Sequence, residues 1–227
     1  MKPNQTEGTI VLFFYCLLNF IMIIHIEASP ESNNLNMKCK NINVLVVYHS
    51  ETNHTKKLAE IIGEGVKNSN ANVIVLPYTN VTYEQLVQSS AIAIGSPVYY
   101  GNPSWQILKF IDDTFTFQAW KERTFEQIPA TVFSTGGSFF DGTESTLSSL
   151  GRALKAFGMQ LITPDITMPY TSSLGVGAVT QTKPYFDLPN GNIDAHFLNA
   201  AEALGRKLGL EASAFYNKSC ISEFLKN

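Results

Sequence analysis

Three stretches of the chain carry side chains suited to binding chemistry. Ser50-Glu51-Thr52-Asn53-His54-Thr55 is rich in hydroxyls and lies between an apolar run and a helical pattern. The first turn of a helix has unpaired N–H groups and a positive dipole end. Such a loop can hold a phosphate, with Ser50, Thr52 and Thr55 adding hydroxyl donors. An ordinary strand-to-helix turn with Thr as N-cap accounts for the same residues. The second stretch, Pro97-Val98-Tyr99-Tyr100-Gly101-Asn102, offers two flat aromatic faces beside a glycine that permits close approach. The third, Ser134-Thr135-Gly136-Gly137-Ser138-Phe139-Phe140, offers backbone N–H groups freed by two glycines, then two more rings. None of the three supplies an evident nucleophile. His49, His54 and His196 show no metal-ligand spacing and read as structural, and Asp112-Asp113 reads as a solvated helix end.

The elements around these stretches give them a common address. Val44 to Tyr48 is an unbroken apolar run rich in β-branched residues, the pattern of a strand buried on both faces of a parallel sheet. Leu58, Ile61, Ile62, Gly65 and Val66 then share one helix face. Residues 72–77 and 91–96 predict a second and a third strand, with a short helix over 83–89 between them. Pro103 opens a helix whose apolar side holds Trp105, Leu108, Phe110 and Ile111. Residues 114–127 form an aromatic loop with Phe115, Phe117, Trp120 and Phe125. A fourth strand covers 130–134. A helix over 143–158 has a capping-box look near Thr143 to Ser145. A fifth strand covers 159–163, 164–192 is a long loop, and a closing helix covers 194–210.

Strands alternating with helices predict an α/β sheet with right-handed crossovers. Ligands of such sheets sit beyond the carboxyl ends of the strands, and all three stretches leave such ends. One phosphate together with a planar heteroaromatic ring held between aromatic walls describes flavin mononucleotide, FMN.

The N-terminal region has a separate character. Residues 10–24 form an apolar stretch of about signal-sequence length, followed by Ala28 at a tolerable cleavage site. Residues 1–28 therefore read as a signal peptide, which implies the secretory pathway or the extracellular space. The alternative is an uncleaved membrane anchor through 10–26. Residues 29–42 read as a polar leader, 43–215 as the folded domain and 216–227 as a C-terminal tail. In an oxidising compartment Cys39 and Cys220 could form a disulfide that staples the termini. Asn53-His54-Thr55, Asn80-Val81-Thr82 and Asn217-Lys218-Ser219 are glycosylation sequons, the latter two in expected surface turns. A glycan on Asn53 would exclude a phosphate from the first loop. A net charge of -3 lacks the basic stripe that nucleic-acid binding needs.

Three motifs carry a family likeness: Val-Val-Tyr-His-Ser-Glu-Thr-Asn-His-Thr-Lys-Lys-Leu-Ala-Glu (46–60), Gly-Ser-Pro-Val-Tyr-Tyr-Gly-Asn-Pro-Ser (95–104), and Ser-Thr-Gly-Gly (134–137) with Gly-Thr-Glu-Ser-Thr (142–146). Over residues 43–210 the chain resembles the flavodoxin-like superfamily and, within it, the WrbA-type NAD(P)H:quinone oxidoreductases. The resemblance implies a three-layer sandwich around a five-stranded parallel sheet of order 2-1-3-4-5. It implies FMN with its phosphate on Ser50 to Thr55 and its ring against Pro97 to Asn102 and the Ser134 to Ser138 backbone. It further implies NAD(P)H as reductant, a quinone or similar planar acceptor, and a homodimer or higher homo-oligomer. Trp120 matches the tryptophan that lines the quinone side in that family, and Thr52 falls where the family has a Tyr that meets the nicotinamide. Asn53 replaces a phosphate-loop Gly, a position where Asn tolerates left-handed backbone. Phe157 replaces a His, removing a polar contact to the flavin region.

Three functions compete. An FMN-dependent quinone reductase would leave the chemistry to the flavin and use the protein for binding and tuning. A flavodoxin-type electron carrier would be expected to be more acidic than this chain. A secreted protein of this fold without flavin is the third, because fold alone does not fix function.

Overall fold

In the computed structural model of the protein, the described residues are 42–138, 142–165, 167, 172–180 and 192–224. They belong to one unit spanning Lys40–Asn227. The expected signal peptide or anchor, most of the leader, Cys39, Phe139 and Phe140 lie outside the described residues, as does the side chain of Cys220.

The first strand, β1 (Asn43–Tyr48), shows why its sequence does not alternate with polar residues. Val44, Val46 and Tyr48 enter one core cluster, while Leu45 and Val47 enter another on the opposite face. The strand β3 (Ala91–Tyr99) divides the same way, with Ala91 and Ala93 on the first side and Ile92 and Ile94 on the second. The strand β2 (Asn72–Pro77) lies at the edge and is half-buried, with Ile74 exposed. The strand β5 (Pro129–Gly136) is buried throughout. The central order is β2-β1-β3-β5, all parallel. A two-residue strand, β4 (Asn102–Pro103), turns back antiparallel on β3.

The fifth position of the sheet is divided. β6 (Gln160–Leu161) pairs with Pro129 and Ala130 at the beginning of β5, and β7 (Val176–Val179) pairs with Phe133 to Gly136 at its end. Both run parallel to β5. The predicted order 2-1-3-4-5 therefore holds, but its last lane consists of two pieces separated by an excursion.

Helices cover both faces, as predicted. On one side α1 (His54–Lys67) contributes Leu58, Ile62 and Val66. The closing helix α6 (Ala195–Phe224) contributes Phe197, Leu204 and Leu208 to the same cluster. Each fully buried Leu or Ile is worth roughly 1.5–3 kcal/mol. These two helices approach closely through glycines. A Cβ on Gly65 would meet the Glu202 carbonyl oxygen at 2.0 Å, and one on Gly205 would meet that of Ile62 at 2.0 Å. On the other side lie α2 (Tyr83–Val87), α3 (Trp105–Thr114), α4 (Phe117–Lys121) and α5 (Thr143–Ala156).

Several local expectations change. Pro103 belongs to β4, and Ser104 caps α3 by accepting from the Ile107 N–H at 3.4 Å. The reciprocal capping box occurs at Thr82 and Gln85, not at the start of α5, where Gly142 is an uncapped N-cap. The aromatic stretch 114–127 is not all loop. Phe115 and Phe125 are buried with ring centroids 4.8 Å apart, because α3 delivers the chain to the core edge there. The closing helix runs to Phe224, through the segment read as a tail, and so Asn217 lies on a helix instead of a turn. Asn80 does lie in a turn, the 3-10 segment Tyr78–Asn80.

Candidate functional site

The first loop leaves β1 at His49, whose N–H still bonds the Gly95 carbonyl at 3.2 Å. Ser50 follows, with a buried hydroxyl that has no hydrogen-bond partner. Glu51, Thr52 and Asn53 are exposed. Asn53 is the N-cap of α1, at φ 63 and ψ 2, so the position takes the left-handed backbone that its sequence context called for. Its side chain makes no cap, and the first turn of α1 has no acidic residue. The Asn53 side chain thus leaves the start of the helix clear beside an orphan hydroxyl, an arrangement suited to an anion. Thr caps nothing here, contrary to the simpler turn reading. Thr55 instead bonds Thr135 hydroxyl to hydroxyl at 2.7 Å, pinning the helix start to the end of β5. Thr52 Oγ1 lies 2.8 Å from His54 Nδ1.

The second loop is a two-residue hairpin between β3 and β4. Tyr100 at φ 52 and Gly101 at φ 77 are its central residues, and two positive φ angles define the type I′ turn. Left-handed backbone on a tyrosine is uncommon. The turn holds Tyr100 fully exposed, and the Asn102 amide donates to the Tyr100 carbonyl at 2.9 Å. Pro97 is buried, while Val98 and Tyr99 are half-buried. The Glu51 carboxylate of the first loop stands near the Tyr99 hydroxyl of the second. Burial, chiefly, and the neighbouring carboxylate push the Tyr99 phenol above its usual range. Below the hairpin, Ser96 Oγ accepts from the Ser104 N–H at 2.8 Å and so anchors the start of α3.

The third loop begins at Ser134, whose buried hydroxyl has no partner. Thr180 supports it by donating its N–H and hydroxyl to the Gly136 carbonyl at 2.9 and 3.1 Å. Gly137 is exposed and Ser138 half-buried. The loop returns at Gly142, φ 107, where a Cβ would lie 2.3 Å from Gly101 Cα. Only paired glycines allow the second and third loops to touch in this way. Ser145 Oγ seals the contact, within reach of the Gly101 and Gly142 carbonyls at 2.5 and 2.9 Å.

The fold therefore brings Ser50 to Thr55, Pro97 to Asn102 and Ser134 to Ser138 to one end of the sheet. Trp120 and Phe157 are not brought there. Helix α3 leads away from the site, and residues between it and β5 lie at the amino ends of the strands. Gln127 there donates its N–H to the Gly158 carbonyl at 2.8 Å. Trp120 and Phe157 line a cavity of about 440 Å3 at that far end, and Phe157 packs on Phe115 at 5.2 Å. Within one chain, Phe157 removes no contact from the proposed flavin region, and Trp120 lines no part of it. Thr180, Ser145, Gly142 and His49 belong to the framework of the site. Gly142 and Ser145 lie in the 142–146 motif, and His49 continues the buried positions of Leu45 and Val47; Thr180 had no such signal.

The model of the flavodoxin family matches residues 46–183. The chain belongs to the flavodoxin family. A flavodoxin of Aquifex aeolicus is 31% identical over 144 residues, covering 62% of this chain and 75% of that protein. An NAD(P)H dehydrogenase (quinone) of Archaeoglobus fulgidus is 32% identical over 144 residues, covering 52% and 74%. The solved structure of a flavodoxin, WrbA-like protein from Agrobacterium tumefaciens has a TM-score of 0.59 at 23% identity, covering 77% of this chain and 99% of that one. FMN is the cofactor of the family, and the loops of this chain fit it. The first could hold the phosphate through Ser50, Thr52, Thr55 and the uncapped start of α1. The Tyr99–Tyr100 hairpin and the Ser134–Ser138 backbone could flank the ring.

Proposed function

We propose that this protein is an FMN-dependent oxidoreductase that passes electrons from NAD(P)H to a quinone or a similar planar acceptor. The observation that carries the proposal is the joining of three loops at one sheet end. Two of them contain buried, unpartnered hydroxyls, Ser50 and Ser134. A hydroxyl pair, Thr55 with Thr135, holds the helix start against the strand end. FMN, when bound, supplies the hydride chemistry. The chain's own part is to fix the phosphate on the first loop, orient the ring with Tyr99, and leave one side open next to the exposed Tyr100. The relatives named NAD(P)H dehydrogenase (quinone) support this reading.

An electron-carrier function is the second reading, because relatives named flavodoxin match equally well. The mild net charge of -3 favours the reductase, since it provides little acidic surface for docking a redox protein. Trp120 could meet an acceptor only at the site of a second copy, consistent with a homo-oligomer. Residues 1–28 would send the protein into the secretory pathway, with retention through 10–26 as the alternative.

Anaerobic mixing of the FMN-loaded protein with NADPH and with NADH separates the readings. A reductase loses its oxidised-flavin absorbance within seconds and recovers it on addition of a benzoquinone. A carrier is bleached slowly by either nucleotide but quickly by a reduced electron-transfer protein.

A further inference from the structure

A buried imidazole lies directly beneath the loops. His49 follows Leu45 and Val47 onto the same face of the sheet and is only 7% exposed. Its Nδ1 is buried and has no hydrogen-bond partner. Its Nε2 lies 3.9 Å from Glu51 Oε1, just beyond hydrogen-bond length. Its ring packs edge-on to Tyr99, with centroids 6.2 Å apart, and tilted against Tyr78 at 5.6 Å. Glu51 also stands near enough to the Tyr99 hydroxyl to raise its pKa. One carboxylate is therefore near both a protonatable ring and the hydroxyl of the aromatic wall, within the loop proposed to hold the phosphate.

The groups facing His49 are few. Glu51 reaches it from the first loop, Tyr99 from the end of β3 and Tyr78 from the turn after β2. Phe110 of α3 stands behind Tyr78, with centroids 6.5 Å apart, and carries no charge.

We propose that His49 is a positioning residue that makes occupation of the phosphate loop proton-linked. The inference rests on the FMN reading above and assigns it a further residue. With His49 neutral, the charge of Glu51 opposes an anion on Ser50 to Thr55. With His49 charged, the carboxylate is drawn to the imidazolium, and the added positive charge one residue before Ser50 favours the phosphate. Burial, the larger effect, holds the His49 pKa below its ordinary 6.5, while Glu51 pulls it upward. A bound phosphate pulls it up further, so a proton enters with the ligand and binding tightens as pH falls.

FMN dissociation constants for the full chain, His49→Gln and Glu51→Gln, measured by flavin-fluorescence quenching from about pH 5 to 8, test this. The phosphate loses part of its own charge near pH 6, so the comparison between proteins carries the information. Relative to His49→Gln, wild type should gain roughly three- to tenfold in affinity between pH 8 and pH 5.5. In Glu51→Gln the gain should move to lower pH, because the upward pull on His49 is gone. Wild-type and His49→Gln profiles that superimpose after scaling, or a relative loss at low pH, would overturn the inference and leave the cofactor reading intact. Absence of FMN binding at every pH would overturn both. Glu51 is exposed, so its variant decides the matter even where His49→Gln does not fold.

Discussion

The two ends of the sheet are built from similar materials and treat them in opposite ways. At the amino end, Phe110, Phe115, Phe125 and Phe157 pack ring on ring, with successive centroid distances of 6.3, 4.8 and 5.2 Å around Phe115. These rings join the hydrophobic core on one face of the sheet. At the carboxyl end, Tyr100 is fully exposed on left-handed backbone, and Ser50 and Ser134 bury hydroxyls that meet nothing. Buried polar groups without partners are costly, and so is left-handed backbone on a side chain with a Cβ. Left-handed backbone of that kind occurs at both ends, at Asn53 and Tyr100 here and at Arg123 and Gln127 there, whereas the unpartnered buried hydroxyls of Ser50 and Ser134 lie at the carboxyl end, where a ligand would use them. Aromatic content alone therefore does not mark a site. What distinguishes the two ends is whether the groups are satisfied within the protein.

The strongest way to break this comparison lies at the closed end. Phe115→Ala should destabilise the fold by about 3–5 kcal/mol, measured by chemical denaturation, while the folded fraction still binds FMN. A loss of FMN affinity without loss of stability would show that this end serves the ligand.

Next in size is Gly142→Ala. The new Cβ would meet Gly101 Cα at 2.3 Å on backbone at φ 107. Thermal unfolding should show a loss of about 1–3 kcal/mol, accompanied by at least tenfold weaker FMN binding as the second and third loops separate.

Asn53→Gly sharpens the account of the first loop. Gly accepts left-handed backbone at no steric cost, so FMN affinity should hold or rise and stability change by under about 1 kcal/mol. The substitution also removes a sequon, so expression in a glycosylating host compares the two proteins directly. Mass spectrometry showing a glycan on Asn53 of the wild type would favour the flavin-free reading.

Smaller again is the effect of pH on the apo-protein. Because His49 titrates below 6.5 in the fold, the unfolded chain binds its proton more readily. Its contribution to stability is present above about pH 6.5 and is lost as pH falls through the lower, folded pKa. Between pH 7 and pH 5 wild type should lose more stability than His49→Gln, read as urea midpoints. Equal losses would place His49 in a more solvated setting than its burial indicates. The smallest effect belongs to Trp120→Ala, for which FMN affinity should stay within about twofold because the residue lies at the other end of the chain's own sheet.

Much of this arrangement was legible in the sequence, for a physical reason. Strands buried on both faces must be continuously apolar, and β1 and β3 stood out accordingly. Loops leaving their carboxyl ends then converge by topology. The strand β7 was hidden because Val176-Gly177-Ala178-Val179 is too short to show a period and includes a glycine. There a Cβ would meet the Thr143 methyl at 2.2 Å. The motif match of Trp120 to the family's quinone-side tryptophan said nothing of which end of the chain's own sheet it occupies. Topology held that information, because a stretch between a helix and the next parallel strand lies at the amino ends. The start of α5 was misread because Thr143 to Ser145 has the letters of a capping box. Its geometry is instead set by Gly142 pressed against Gly101, a contact between residues far apart in the chain.

The central claim is that three loops at the carboxyl end hold one flavin. An equilibrium titration of the purified apo-protein with FMN, followed by gel filtration and an absorbance spectrum, tests it most directly. The account predicts retained oxidised-flavin bands at one FMN per chain, reduced at least tenfold in affinity by Gly142→Ala and unchanged by Trp120→Ala. A folded, unglycosylated protein that retains no flavin, or one whose binding is abolished by Trp120→Ala and indifferent to Gly142→Ala, would contradict it.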